Sequence, residues 1–513
     1  MRQFLSRFGG SIMAVLSGLD RIVFRGSHRS LAFNHGMEAF VNSIGVLRKD
    51  FGAYARRTTE ELKSASLAKC HQLERPYQYL TSSRVRKETL VRQILDKSPI
   101  DEGLICVLSC VEPCTTFNLF RSRETKRREF RRQPGKCQHL YHYFLHPRFG
   151  LMHVRLQTWF PFTVQVCMNG REWLARQMTR SGIDFIKEDN CFPYVDEPQR
   201  AQQLLARQVR LDWPRVLDRL ALAVNPALPA ILQRDDPQHY WCTHQLEWAT
   251  DVLFVDHASL AAIYQPLVRH AMTQFSSADV MRFLGRKATH AFLGEVTTDF
   301  KDRVEGVRVM HRVDRNSVKV YDKNGSILRV ETTINAPTEL RAPRPKADTG
   351  KLVVQPVRKT VADLERITDI GQRANERYLD ALAEMNQDAS LHEVIAPICK
   401  HTTFHGRRVR ALRPWDPDDL ALFQAIANGA FVLRGFTNRD VVNATYDKPA
   451  ADEPEHRRRR SRASRQLRLL RAHGIIRKLA KQNRYQLTDK GRRIVTAILA
   501  ARDTPVSALL AAA

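Results

Sequence analysis

Three groups of residues bring together side chains suited to chemistry. The first begins at Glu295 and Asp299, passes His311, and continues through Lys319, Tyr321, Asp322, Lys323, Arg329 and Glu331. Asn324-Gly325 is a two-residue hairpin signal, so the residues before and after it read as paired strands. The two-residue period of a strand puts Lys319, Tyr321 and Lys323 on one face, and Arg329 and Glu331 on one face of the partner. Carboxylates, a lysine and a tyrosine on one sheet face can hold a divalent cation and position a phosphodiester. Glu295, Asp299 and Glu331 are then the candidate metal ligands, with Mg2+ the expected ion. Lys323 is a neighbouring cation and Tyr321 a candidate nucleophile. The alternative is an ordinary exposed hairpin with cross-strand ion pairs such as Lys323 with Glu331.

The second group is Cys106, Cys110, Cys114, Cys137, His139 and His142. This spacing can place four ligands around Zn2+. Cys106 and Cys110 fall within an apolar run, however, and isolated cysteines are common core residues. A buried core is therefore the favoured reading, and Zn2+ is disfavoured. The third group combines aromatic and polar residues in 136–143 and 152–160. Arg155 and Gln157, on the face opposite Val154 and Leu156, are candidate contacts to unpaired bases. Further acids stand beside apolar runs: Asp20, Glu112, Glu247 and Asp251. Glu247 and Asp251 are four apart and share a face on a helix. A triad including Asp20 on a first strand would suit an RNase-H-like two-metal site. Taken singly, each acid reads as a cap or a solvated group.

The elements that must position these residues follow from patterning. The chain has 513 residues, of which 43% are hydrophobic, enough for ordinary cores and against wholesale disorder. Residues 1–100 read as mainly helical, with a strand candidate at 19–26. An α/β body follows over 101–335, with strands in 103–170, helices in 171–290 and a hairpin in 291–335. A basic, proline-containing linker and helical region cover 336–414. A C-terminal module occupies 415–505. The expected class is α+β, a mixed helical and β-sheet multi-domain body.

In the C-terminal module, Asp416-Pro417 starts a helix, Thr437 a second, and 461–473 a third that ends at Gly474. Two short strands enclose a basic tip at 481–484, and a last helix spans 491–501. The segment LLRAHGIIRKLAKQNRYQLTDKGRRI resembles the recognition helix and wing of bacterial winged helix-turn-helix regulators. That resemblance implies a third helix in the major groove and a wing along a neighbouring groove. The residues matched to these roles are Arg462, Arg465, Arg468 and Arg471 on the helix, and Arg477, Lys478, Lys481 and Arg484 on the wing. Between Arg457 and Arg493 there are fifteen Arg and Lys and a single acid, Asp489. The string VKVYDKNGSILRVE is similar to a Tyr-Asp-Lys … Leu-Arg-x-Glu hairpin of rolling-circle and filamentous-phage replication initiators, in which a tyrosine attacks DNA with a metal's help. The histidine–hydrophobic–histidine motif of such enzymes is absent here.

The formal charge of +28 points to a polyanionic partner. DNA is the expected partner, RNA a second, and a homodimer is compatible with both. No lipidation motif and no long apolar run favours a membrane. The N-terminal stretch reads as an amphipathic helix rather than an export signal. Nine cysteines, an odd number, fit a reducing, cytoplasmic and nucleoid-associated setting. Nucleotide-binding glycine motifs and a nucleophile-elbow serine are absent, which disfavours nucleotide hydrolysis and hydride transfer. The expected function is that of a mobile-element DNA-processing enzyme, transposase-like or replication-initiator-like, using metal-dependent phosphodiester cleavage or joining. The alternative is a non-catalytic DNA- or RNA-binding protein.

Overall fold

The structure is a computed structural model. It describes residues 1–505 apart from 125, 233–238, 290–291, 305, 347, 386–390, 429–430, 432–434, 447 and 480–481. The fold is α+β, as the residue patterns predict. The chain divides into two compact units. The first comprises Met1–Val268, Phe283–Gly285 and Thr298–Ala383; the second comprises Arg269–Arg282, Arg286–Thr297 and Glu384–Ala513.

The first unit is organised by one large sheet. Its strands, with a separate hairpin formed by β7 and β8, are β1 (Ile12–His28), β2 (Tyr77–Tyr79), β3 (Gly103–Arg121), β4 (Arg128–His146), β5 (Gly150–Gln157), β6 (Val164–Asn169), β7 (Phe185–Glu188), β8 (Cys191–Val195), β9 (His239–Phe254), β10 (Val296–Lys301), β11 (Arg308–Val313), β12 (Asn316–Lys323) and β13 (Ile327–Ile334). The sheet order is β10-β11-β12-β13-β9-β1-β6-β5-β4-β3-β2. Thus β1 and β9 lie near its centre, antiparallel to each other, with β13 and β6 on their outer sides.

Alternation gives this sheet two unlike faces. One carries Ile22, Phe24, Val154, Val166, Leu246 and Trp248, all in the main core. Burying each such side chain contributes about 1.5–3 kcal/mol. The helix Leu364–Leu382 seals part of this face: Asn375 donates to the carbonyls of Trp248 and Val330, each at 3.0 Å. The opposite face carries Glu247 and Asp251 on β9, Arg329 and Glu331 on β13, and Lys319 and Tyr321 on β12, placed together by the registers Lys319↔Glu331 and Arg329↔Asp251. Farther along, Arg155 and Tyr141 share this polar face, directly opposite each other on β5 and β4.

Three stretches differ from the residue patterns. Within residues 1–100, the strand read at 19–26 extends over seventeen residues, β1. Residues 239–254, read as helix, form β9. Its Leu, Glu and Ala are good helix formers, but pairing with β1 on one side and β13 on the other overrides local propensity. Residues 248–254 are all buried, so the alternation that marks a half-exposed strand is lost there. The proline-containing 336–351 stretch enters a hairpin of Arg341–Pro345 with Leu352–Pro356.

Among the described residues of the second unit are the helices Pro417–Ile426, Asn438–Thr445 and Glu453–Ala472. A hairpin of Ile476–Lys478 with Tyr485–Leu487 follows, and then the helix Asp489–Asp503. Side chains start each of them. Asp416 accepts from Asp418 N at 3.0 Å, Thr437 and Asp440 form a capping box, and Thr488 accepts from Gly491 N at 2.9 Å. The third helix begins earlier than the 461 read from the sequence. Asp452 caps it, and Glu453–Arg457 and Glu455–Arg459 pairs at 3.1 and 2.7 Å support its first turns. Leu467, Leu470 and Ile475 are buried against Phe423, Ile426 and Ile494. Residues 402–409, read as a connector, form a small hairpin.

Candidate functional site

Four carboxylates converge on the polar face of the large sheet. Asp20 comes from β1, Glu247 and Asp251 from β9, and Glu331 from β13. Carboxylate oxygens of Asp20, Glu247 and Glu331 lie within 4.8 Å of one another. A β-bulge makes this possible. Leu19 pairs with Trp248 and Arg21 with Glu247, so residues two apart on β1 fall on opposite faces. Asp20 is the extra residue, and its carboxylate joins the polar side.

Buried cations hold two of the acids. Arg329 grips Asp251 through Nε and Nη2 at 2.5 and 2.8 Å, and reaches Asp20 through Nη1 at 3.2 Å. Arg171, fully buried, lies 2.9 Å from Asp251. It opens the helix Gly170–Arg180, which starts where Asn169 accepts the backbone N–H of Arg171 at 2.8 Å. The tip of the β7–β8 hairpin completes the enclosure. Asn190 donates Nδ2 to Asp20 at 3.1 Å and offers its carbonyl to Arg329 at 2.7 Å. Glu331 is held by Lys319 at 2.7 Å and accepts the Tyr321 hydroxyl at 2.8 Å.

Among the described residues, Arg171, Arg329 and Lys319 are the cations within ion-pair distance of these four acids, and none reaches Glu247. Glu247 instead accepts from Gln245 at 2.9 Å. The cluster therefore carries one negative charge more than its paired cations offset. The consequence falls on two groups. Burial, and then the neighbouring Glu331, raise the Glu247 carboxyl to about 7. Burial raises Asp20 as well, against the pull of Arg329. Asp251 goes the other way: burial would raise it, but Arg329 and Arg171 outweigh burial and hold it below the usual range. Three carboxylates around one point with an uncompensated charge form an oxygen-ligand set suited to a hard divalent cation.

A cleft of about 310 Å³ opens on the same polar face, lined in part by Arg21, Lys87, Tyr141, His153, Arg155 and Gln245. Arg155 and Lys87 are tied there to Glu112 at 2.7 and 3.1 Å. Burial would raise Glu112, yet the hydrogen bond from Tyr141 and the charge of Arg155 bring it down to about 2. Glu112, read singly as a cap or a solvated group, is thus the anchor of a small ion network.

The residues singled out from the sequence divide accordingly. Glu331 belongs to the acid cluster. Glu295 and Asp299 do not: both are exposed, and Asp299 lies on the edge strand β10, with β11 and β12 between it and β13. Asp20 and Glu247 take their place. Glu247 and Asp251 share a face as read, but on a strand rather than a helix. Lys323 pairs with Asp189 at 2.8 Å, and Lys319 rather than Lys323 is the partner of Glu331. Tyr321 is buried, and burial together with Glu331 drives its phenol well above the ordinary value, a poor state for a nucleophile. Arg171 and Asn190 escaped the sequence reading; the Asn169-Gly170 turn before Arg171 is the one local signal for it.

In the second unit, Arg462, Arg465 and Arg468 line a groove of about 500 Å³ together with Arg407, Arg408 and Arg410. Asp418 offsets part of this charge, 2.6 Å from Arg462. Arg471 stacks over Phe404, 5.3 Å from the ring centre. Arg477 and Lys478 are exposed on the hairpin, Arg477 bonded to Gln486 at 3.2 Å, and Arg484 donates to the carbonyl of Gly435 at 3.0 Å. Lys481 lies outside the described residues. The sequence reading missed Arg407 and Arg408, which the small 402–409 hairpin brings to the helix.

Comparison with protein-family models, curated proteins and solved structures finds no match to this chain.

Proposed function

We propose that the chain is a DNA-processing enzyme that cuts or joins phosphodiesters with a divalent cation, Mg2+ in the cell. Asp20, Glu247 and Glu331 are its metal ligands. The observation that carries this reading is their convergence with one charge left unpaired, since a bound cation would offset the burial and the neighbouring Glu331 that raise the Glu247 carboxyl. Arg329, Arg171 and Lys319 act as positioning residues, fixing the carboxylates before the ion arrives. The adjoining cleft, with its cations and tyrosines, suits a phosphate and a stacked base. In the second unit, the succession of three helices, hairpin and helix supports the winged-helix reading, and the arginine groove supplies phosphate contacts. The expected bacterial, mobile-element setting belongs to this proposal, as do association with the nucleoid and the homodimer.

The test is a cleavage and strand-transfer assay on single- and double-stranded DNA and on RNA, with Mg2+, Mn2+ or a chelator. Metal-dependent products that vanish in Asp20→Asn and Glu331→Gln support the enzyme. A second reading, non-catalytic DNA or RNA binding, is favoured by one observation: Arg329 and Arg171 already compensate Asp20 and Asp251, as in a structural ion network. Salt-sensitive binding without products under any metal would establish that reading instead.

A further inference from the structure

The six Cys and His residues of 106–142 do not act as one group in the fold. Cys106 and Cys110 are buried in a small apolar cluster with Leu80 and Val91. His142 lies on the helix-covered side, where its Nε2 meets Ser66 Oγ at 2.9 Å. Cys114, Cys137 and His139 remain, and these three converge: the two sulfurs and a ring nitrogen lie within 4.8 Å of one another.

Several features of their geometry fit a ligand role. The two sulfurs are 3.3 Å apart. That is far beyond a disulfide bond of about 2.05 Å; the pair shares an S–H···S contact here, and an opening of about 0.5 Å would bring it to the roughly 3.8 Å that separates two sulfurs each about 2.3 Å from a tetrahedral Zn2+. His139 is completely buried, and its Nε2 has no hydrogen-bond partner. Leaving a buried polar nitrogen unsatisfied costs about 1–3 kcal/mol. Its Nδ1 lies 3.1 Å from the Cys137 carbonyl, the kind of outer partner that holds a liganding imidazole in one tautomer. Cys114 and Cys137 are only half buried, which leaves an approach for the ion.

We infer that Cys114, Cys137 and His139 form a binding site for a thiophilic divalent ion, Zn2+, with a water in the fourth position. Binding releases the two thiol protons and ties β3 to β4 where the Arg-rich arm begins. That arm, residues 115–134, carries Arg121, Arg123, Lys126, Arg127, Arg128, Arg131 and Arg132 against Glu124 and Glu129. The ion fixes the base of this cationic hairpin independently of the carboxylate site.

The experiment loads the full chain with Co2+, whose thiolate ligation gives a sulfur-to-metal charge-transfer band, and measures Zn2+ content after dialysis. The wild type and Asp20→Asn should show the band and retain one thiolate-bound ion; the Cys114→Ser/Cys137→Ser double variant should lose both. Cobalt held by carboxylates alone gives no such band, which separates this site from the acid cluster. A folding-independent readout uses wild-type protein alone. Zn2+ should shield Cys114 and Cys137 from iodoacetamide, mapped by peptide mass, while exposed Cys399 reacts equally with or without the ion. Absence of the band in wild type, its survival in the double variant, or alkylation of Cys114 and Cys137 unaffected by Zn2+ would overturn the proposal.

Discussion

Replacing Glu247 by Gln should stabilise the protein, and only at high pH. The carboxyl is displaced from an ordinary 4.5 to about 7 by burial and by Glu331. The native state therefore holds this proton more tightly than the unfolded chain does. Stability falls as pH rises from about 4.5 to about 7, and the full cost persists above that. At about 1.4 kcal/mol per pH unit, the displacement corresponds to roughly 3 kcal/mol. Glu247 keeps a partly exposed edge, so solvent screening reduces the expected gain of Glu247→Gln to about 1–3 kcal/mol at pH 8. At pH 4.5 the gain should shrink below about 0.5 kcal/mol, because the wild-type side chain is then neutral in the native state and half neutral when unfolded. The substitution keeps the oxygen that accepts from Gln245, so shape and hydrogen bonding are little disturbed. Urea unfolding followed by tryptophan fluorescence measures this in the right place, since five of the six tryptophans lie in the first unit. A Glu247→Gln protein that is less stable than wild type at pH 8, or that gains equally at both pH values, would refute the electrostatic reasoning.

Other outcomes follow from the same geometry. Arg329→Met strips Asp251 and Asp20 of their main cation and should cost about 3–5 kcal/mol in urea unfolding, a loss an exposed arginine would not give. Tyr321→Phe should leave any cleavage activity intact and no covalent protein–DNA adduct should form in wild type, because the phenol is buried and bonded to Glu331; gel analysis of labelled DNA checks both. Arg465→Ala and Arg468→Ala should weaken DNA binding across unrelated sequences. Each arginine removed from a phosphate should flatten the slope of log K against log salt by about 0.9, read from titrations at several ionic strengths.

Part of this was legible in the sequence for identifiable reasons. The β12–β13 hairpin was visible because Asn324 and Gly325 both adopt positive φ, 65° and 77°, and Asn-Gly is the pair that tolerates this. The C-terminal helices were visible because Asp416, Thr437 and Gly474 mark their ends chemically. The acid cluster was only partly visible. Glu331 stood out beside its hairpin, and Asp20, Glu247 and Asp251 as a candidate triad, but Asp20 owes its orientation to a bulge that strict alternation cannot reveal. Glu247 sits on a strand whose local composition favours helix, and whose identity comes from pairing with residues more than two hundred positions earlier. Glu295 and Asp299 were attractive because they precede the hairpin in the chain, yet sheet order, not chain order, sets which acids meet.

The most direct measurement of the metal site is a Mn2+ titration followed by the loss of free-ion electron paramagnetic resonance signal at pH 8. Wild type and Asp299→Asn should bind one tight ion per chain, and Asp20→Asn and Glu331→Gln should lose it, with all four proteins sharing one circular dichroism spectrum. Retention of that ion by Asp20→Asn and Glu331→Gln, or its loss in Asp299→Asn alone, would contradict a site built on Asp20, Glu247 and Glu331.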